Sequence, residues 1–142
     1  MQQQPEMIVG PDGSKNWTLN GEMHREGGPA IERSDGEKLW YHNGNLHRED
    51  GPAIEGSDGS KHWYLHGRLH REGGPAIEYP DGTNWWYLNG KYHREGGPAI
   101  EYPSGSKFWY FNGKKYSFED YIMELERMGL KDSIVNTLFN IG

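Results

Sequence analysis

Asn-Gly, replaced once by His-Gly, stands at positions 20–21, 43–44, 66–67, 89–90 and 112–113, a spacing of 23 residues without a slip. So regular a period demands a structural unit that repeats and stacks, and it constrains the fold more than composition does. Other motifs keep the same period. His-Arg-Glu follows at 24–26, 47–49, 70–72 and 93–95, and Gly-Pro-Ala-Ile-Glu at 28–32, 51–55, 74–78 and 97–101. Asp-Gly recurs at 12–13, 35–36, 58–59 and 81–82, with Ser104-Gly105 in the last copy. An aromatic pair or its relic lies at 17–18, 40–41, 63–64, 86–87 and 109–110, so four full copies are flanked by half copies.

Asn-Gly and Asp-Gly are both two-residue hairpin signals, since a type I′ turn needs positive φ at its two central residues. The stretches between them are short and rich in β-branched and aromatic residues, which reads as strands; Gly-Pro marks the remaining corner. The expected fold class is mainly β: a single-layer solenoid of antiparallel β-hairpins over residues 1–116, advancing about 10 Å per copy, closed by a helical cap over 117–142. Pairing about Asn89-Gly90 sets Tyr87 opposite Tyr92 and Trp86 opposite His93. Pairing about Asp81-Gly82 as a two-residue turn sets Ile77 against Trp86, and by repetition Ile31 against Trp40, Ile54 against Trp63 and Ile100 against Trp109. An Ile-Trp-His stripe is therefore the expected core. The opposite side varies more between copies, and its Tyr64, Trp85, Tyr87, Tyr92, Phe108 and Tyr110 form the expected partner-binding surface.

Composition agrees with a thin aromatic core. Only 33% of the chain is hydrophobic, while 21 glycines and 13% aromatics make it turn-rich and ring-rich. The absence of cysteine excludes disulfides, thiolate nucleophiles and Cys-based zinc sites. A net charge of −6 opposes the counterion release that drives non-specific nucleic-acid binding, so no nucleic-acid partner is expected. The start, MQQQPEMIVG, has neither the basic region nor the apolar run of a signal peptide or membrane span, so a cytoplasmic location with no membrane contact is expected. Near the C-terminus the period turns helical. Ser117 is placed to cap a helix with Asp120 at the capping-box position, Phe118, Ile122, Leu125 and Met128 form an apolar stripe, and Gly129 ends it. A second helix from Asp132 to Phe139 is expected to turn Ile134, Val135 and Leu138 inward. These helices read as a cap over the last hairpin, or else as the element of a homodimer.

The run from Asn89 to Lys114, NGKYHREGGPAIEYPSGSKFWYFNGK, resembles the MORN repeat, whose 23-residue unit also passes from Asn-Gly through glycine-spaced residues to a turn and an aromatic strand. It is most similar to the bacterial and phage variant carrying His-Arg-Glu-x-Gly-Pro-Ala, found in antitoxin-like and uncharacterised phage proteins. The resemblance covers about residues 7 to 116. It implies a hairpin solenoid used for interaction. Ordinary MORN units have glycine-rich spacing where this chain has the insert, so the lipid binding of eukaryotic members is not carried over.

His-Arg-Glu is the one stretch with the residue types of a catalytic or metal site. His24, His47, His70 and His93 are candidate bases or ligands, with Glu26, Glu49, Glu72 and Glu95 two residues on. Four equal copies about 10 Å apart cannot share one metal at ligand distances near 2.1 Å, so these residues are expected to wire the fold internally. Arg and Glu would hold backbone groups at the Gly-Pro corner, and each His would stack beside the Trp of its own hairpin. The expectation is thus no catalytic residue, metal or cofactor. The chain reads as a non-enzymatic scaffold binding a bacterial protein, phage-borne or antitoxin-like, that inhibits a defence protein in the host cytoplasm. The alternative is a module for glycan, choline or nucleotide using the same aromatic face.

Overall fold

The computed structural model describes residues 3–139. They form a mainly β structure: 18 strands in antiparallel hairpin sheets that do not close into a barrel, followed by two helices. The chain divides into two compact units, Met1–Leu69 and His70–Gly142.

In the first unit, β1 (Glu6–Val9), β2 (Lys15–Leu19), β4 (Ile31–Glu32), β5 (Lys38–Leu39), β8 (Ile54–Glu55) and β9 (Lys61–His62) pair in that order, and β3 (Glu22–Met23) returns on β2. Two further hairpins, β6 (Tyr41–His42) with β7 (Asn45–Leu46) and β10 (Tyr64–Leu65) with β11 (Arg68–Leu69), carry the Asn43-Gly44 and His66-Gly67 turns. In the second unit β12 (Ile77–Glu78), β13 (Asn84–Trp85), β16 (Ile100–Glu101), β17 (Lys107–Phe111) and β18 (Lys114–Tyr116) pair in order, with β14 (Tyr87–Leu88) and β15 (Lys91–Tyr92) as the separate hairpin. The hand-over between the two pairings happens at the conserved-in-register Trp. Trp40 and Trp86 each donate the backbone N–H to the alanine of the next copy, Ala53 and Ala99, at 2.7 Å, and accept at C=O from His47 and His93 at 3.0 and 3.1 Å.

The Asn-Gly turns are as the dipeptide requires. Asn20, Asn43, His66, Asn89 and Asn112 have φ between 48° and 52°, and the following glycines between 77° and 83°. Tyr87 pairs with Tyr92 as expected. The Asp-Gly turns differ from expectation. Only the glycine adopts positive φ, for example Gly82 at 96°, and the closing bonds run from Tyr79 N–H to Thr83 O and from Gly82 N–H to Tyr79 O. This is a type I turn ending in a left-handed glycine, a three-residue loop. The cause is the aspartate side chain. Asp12, Asp35, Asp58 and Asp81 each accept the N–H two residues on, at 2.8–3.0 Å, which favours the ordinary φ of a type I turn.

One extra loop residue shifts the register by one. Ile31, Ile54, Ile77 and Ile100 pair with Leu39, His62, Trp85 and Phe108, not with the tryptophans one residue further on. The expected Ile-Trp core stripe is therefore wrong: each isoleucine shares its sheet face with residues assigned to the variable side. Ile31, Ile77 and Ile100 are buried on that face, while Ala30, Ala53, Ala76 and Ala99 are fully buried on the other.

The cap begins where the sequence suggests. In α1 (Phe118–Arg127) the Ser117 hydroxyl accepts the Asp120 N–H at 3.1 Å, and Glu119 and Asp120 supply first-turn negative charge. At its end Gly129 N–H bonds Glu126 O and Leu130 N–H bonds Leu125 O, the double closure that a left-handed glycine permits. The buried face, however, centres on Tyr121 and Leu125, packed with Phe111 and flanked by Trp109, Tyr116, Leu130 and Ile134, while Met128 is exposed. In α2 (Lys131–Phe139) the inward residues are Ile134 and Thr137, and Val135 and Leu138 face out at 50% exposure, contrary to expectation. Small Thr137 permits close approach to Tyr121, and its hydroxyl satisfies itself on Ser133 O at 2.7 Å.

Tyr121 ties this cap to the last His-Arg-Glu corner. Its hydroxyl donates to Arg94 O and accepts the Gly96 N–H at 3.2 Å. Tyr121→Phe should cost about 1–3 kcal/mol by removing both bonds of its buried hydroxyl, whereas Met123→Ala on the exposed side should stay within about 0.5 kcal/mol. Urea unfolding of the two variants checks this, and equal midpoints would count against the tether.

Candidate functional site

Each His-Arg-Glu segment is spent on the fold, by geometry that repeats. His24, His47, His70 and His93 accept at Nδ1 the backbone N–H of the first turn residue of the following hairpin, Asn43, His66, Asn89 and Asn112, at 2.9–3.0 Å. The expected stacking of each His beside its own Trp is not what forms. The rings lie against residues of the next hairpin, His24 on His42 at 4.5 Å, His47 on His66 at 4.5 Å and His93 on Phe111 at 4.3 Å between centroids. Sequence pairing within one hairpin could not see a contact made 18 or 19 residues away.

That bond selects a tautomer. A neutral imidazole accepting at Nδ1 carries its proton on Nε2, which faces the glutamate two residues on at 3.5–3.9 Å. Neither nitrogen is then free to act as a base unless the turn bond breaks. The same reasoning tests the one cluster of metal-ligand type among the described residues, His24, Glu26 and His42, whose candidate ligand atoms lie within 4.8 Å of one another. Coordination through His24 Nε2 would move the proton to Nδ1 and set it against the Asn43 N–H, so the residues do not fit a metal. Burial holds His93 below the ordinary histidine range, against the opposing charge of Glu95, and burial does the same at His62 against Asp58 and Glu37.

The arginines build a second rung. Arg25 lies 3.8 Å over Trp17, and Arg48 and Arg94 lie 3.9 Å over Trp40 and Trp86. Nη1 of Arg25, Arg48, Arg71 and Arg94 donates to the proline carbonyl four residues on at 3.0–3.1 Å and reaches the glutamate seven residues on at 2.7–3.4 Å. This is the expected service of Arg and Glu at the Gly-Pro corner, though the glutamate is Glu32, Glu55, Glu78 or Glu101 and not that of His-Arg-Glu. The glycine before each proline makes room for the guanidinium: a Cβ at Gly28, Gly51, Gly74 or Gly97 would stand 3.0, 2.9, 2.8 or 2.5 Å from arginine Cζ.

The variable aromatic residues are all half-buried. Five of the six sequence-derived candidates lie in the second unit, where the Tyr92 ring sits 4.4 Å from Tyr87, 4.9 Å from Tyr110 and 6.4 Å from Trp85. Phe108 joins them through the sheet, since Ile100 pairs with both Trp85 and Phe108. Tyr64 lies in the first unit on β10, opposite Leu69. Three further residues adjoin them, of which Tyr79 and Tyr102 replace Gly56 in the later copies. Tyr79 and Tyr102 meet Trp85 and Phe108 edge-on at 5.6 and 6.2 Å, and the Lys115 ammonium stands 4.6 Å over Phe108. Lys115 was accessible to the Asn112-Gly113 turn rule, which places it opposite Tyr110. The buried Trp85 indole N–H has no acceptor among the described residues.

A scan against protein-family models finds no match to this chain, and a search of curated proteins finds none.

The graded space at the glycines predicts a graded cost. Gly97→Ala should destabilise by about 1–3 kcal/mol as Arg94 is pushed from Trp86, and Gly28→Ala, with the widest gap, should cost least of the four. Denaturant midpoints read in order 97, 74, 51, 28 check the ranking; a flat or inverted series contradicts it.

Proposed function

We propose that this protein is a non-enzymatic repeat scaffold of the bacterial and phage MORN-like kind, which grips a bacterial protein partner through the aromatic face of its second unit and acts as an antitoxin-like or anti-defence inhibitor in the host cytoplasm. The observation that carries the reading is a division of labour. The residues with chemistry to offer, His, Arg and Glu, are engaged in bonds that recur in every copy, whereas Trp85, Tyr92 and Phe108 stand at positions that differ between copies and, with the recurring Tyr87 and Tyr110, remain half-exposed beside Lys115. Rings with a polar tip are what interface centres favour, because they give large contact area at low entropic cost. The glycan, choline or nucleotide reading uses the same face, and no described feature of the face favours it over a protein. A homodimer through the C-terminal helices is a further assembly state of the same scaffold, using the exposed Met123, Val135 and Leu138.

The double variant Tyr87→Ala/Tyr92→Ala should weaken capture of the bacterial partner from lysate by at least about tenfold, given hot-spot truncations of 2 kcal/mol or more, with circular dichroism unchanged. Undiminished capture contradicts the assignment of the face. Thermal stabilisation by choline, a glycan or a nucleotide, with no protein captured, would favour the small-ligand reading instead.

A further inference from the structure

The seven histidines are unevenly shared: His24, His42, His47, His62 and His66 lie in the first unit, His70 and His93 in the second. Three of the first unit's five break the repeat. His42 stands where other copies have Leu19, Leu65, Leu88 and Phe111, His62 where they have Asn16, Leu39, Trp85 and Phe108, and His66 where they have asparagine. Two of these deviations fall on one line. The rings of His24, His42, His47 and His66 follow one another at centroid separations of 4.5, 6.0 and 4.5 Å.

From this geometry we propose that the first unit is an acid-sensitive half of the molecule, whose hairpins loosen on mild acidification while the second unit holds. Protonating His24 or His47 removes the lone pair that accepts the Asn43 or His66 N–H and sets N–H against N–H at 2.9 Å. The new charge also faces a neighbouring imidazole 4.5 Å away. Other charged groups do not cancel this. Glu26 and Glu49 face His24 and His47 at 3.8 and 3.5 Å but are 81% and 83% exposed, so solvent screens them. Arg25 and Arg48 line the same cleft as His42, His47 and His66, but each is already ion-paired, Arg25 with Glu32 and Arg48 with Asp50 and Glu55.

His62 contributes from the other face. It is half-buried opposite Ile54, and desolvation lowers its pKa despite Asp58 and Glu37. A histidine whose native value lies below the unfolded 6.5 stabilises the fold above that pH, and the stability is lost as pH falls through the native value. His93 follows the same sign in the second unit, opposed by Glu95, and His70 faces Glu72 at 3.9 Å. The second unit has these two histidines alone, with no adjoining row of imidazole rings among its described residues.

Amide protection factors measured by NMR between pH 7.5 and 5.5, corrected for intrinsic exchange, test this on the full chain. The Asn43 and His66 amides should lose protection at least about tenfold more per pH unit than the Asn89 and Asn112 amides, the expectation for one or more extra protons taken up on opening. The variant His42→Leu/His66→Asn, which carries the residues of the other copies, should reduce that excess slope while leaving protection at pH 7.5 equal or higher. Equal slopes in the two units, or an unaltered slope in the variant, would overturn the proposal.

Discussion

The bond between a histidine Nδ1 and the turn N–H of the following hairpin is the interaction on which the architecture depends. Each hairpin is only two paired residues deep on either side of its turn, far too little to stand alone. A side chain from the preceding copy satisfies the turn's inward N–H and brings an aromatic ring with it. Arginine stacking on tryptophan secures the opposite side of the same segment and occupies the space that the glycine of Gly-Pro leaves open. His-Arg and Gly-Pro are thus two halves of one joint, and neither is explicable by its own local conformation.

Such a joint commits the recurring histidines and arginines to stability. The recurring histidines and arginines are engaged within the repeat, and the positions paired with the recurring isoleucines differ from copy to copy, as Leu39, His62, Trp85 and Phe108. The variable side carries the ring cluster around Tyr92 and the Trp85–Ile100–Phe108 strip, and it ends at Lys115 where β18 replaces the usual histidine segment. The cap closes the array by a different chemistry. Tyr121 supplies from a helix the donor and acceptor for the last Gly-Gly-Pro corner, and Leu125 fills the space beside Phe111.

Much of this was legible in the chain. Asn-Gly implies left-handed backbone at both residues, because few other pairs tolerate it, and every such turn formed in register. Asp-Gly was legible as a turn but not as a turn of odd length, since the deciding contact is the aspartate carboxylate on the N–H two residues on. A one-residue slip moves every side chain to the other face, which is why the isoleucines joined Trp85 and Phe108 and the predicted core stripe failed. The helical cap was placed correctly along the described chain and Leu125 of its expected stripe is buried, but Met128 is exposed and Tyr121 was left out, because it has a polar target that an apolar stripe does not reveal.

By itself, then, the sequence determined the period, the strand-and-turn alphabet, the class of fold and the helix ends, all of which follow from backbone preferences within a few residues. Only the tertiary structure decided which residues share a face, which nitrogen of each histidine is engaged, and where the arginines and glutamates go. Those outcomes depend on contacts between successive copies, 19 residues apart for the histidines, and no local preference encodes a partner that stacking alone brings within reach.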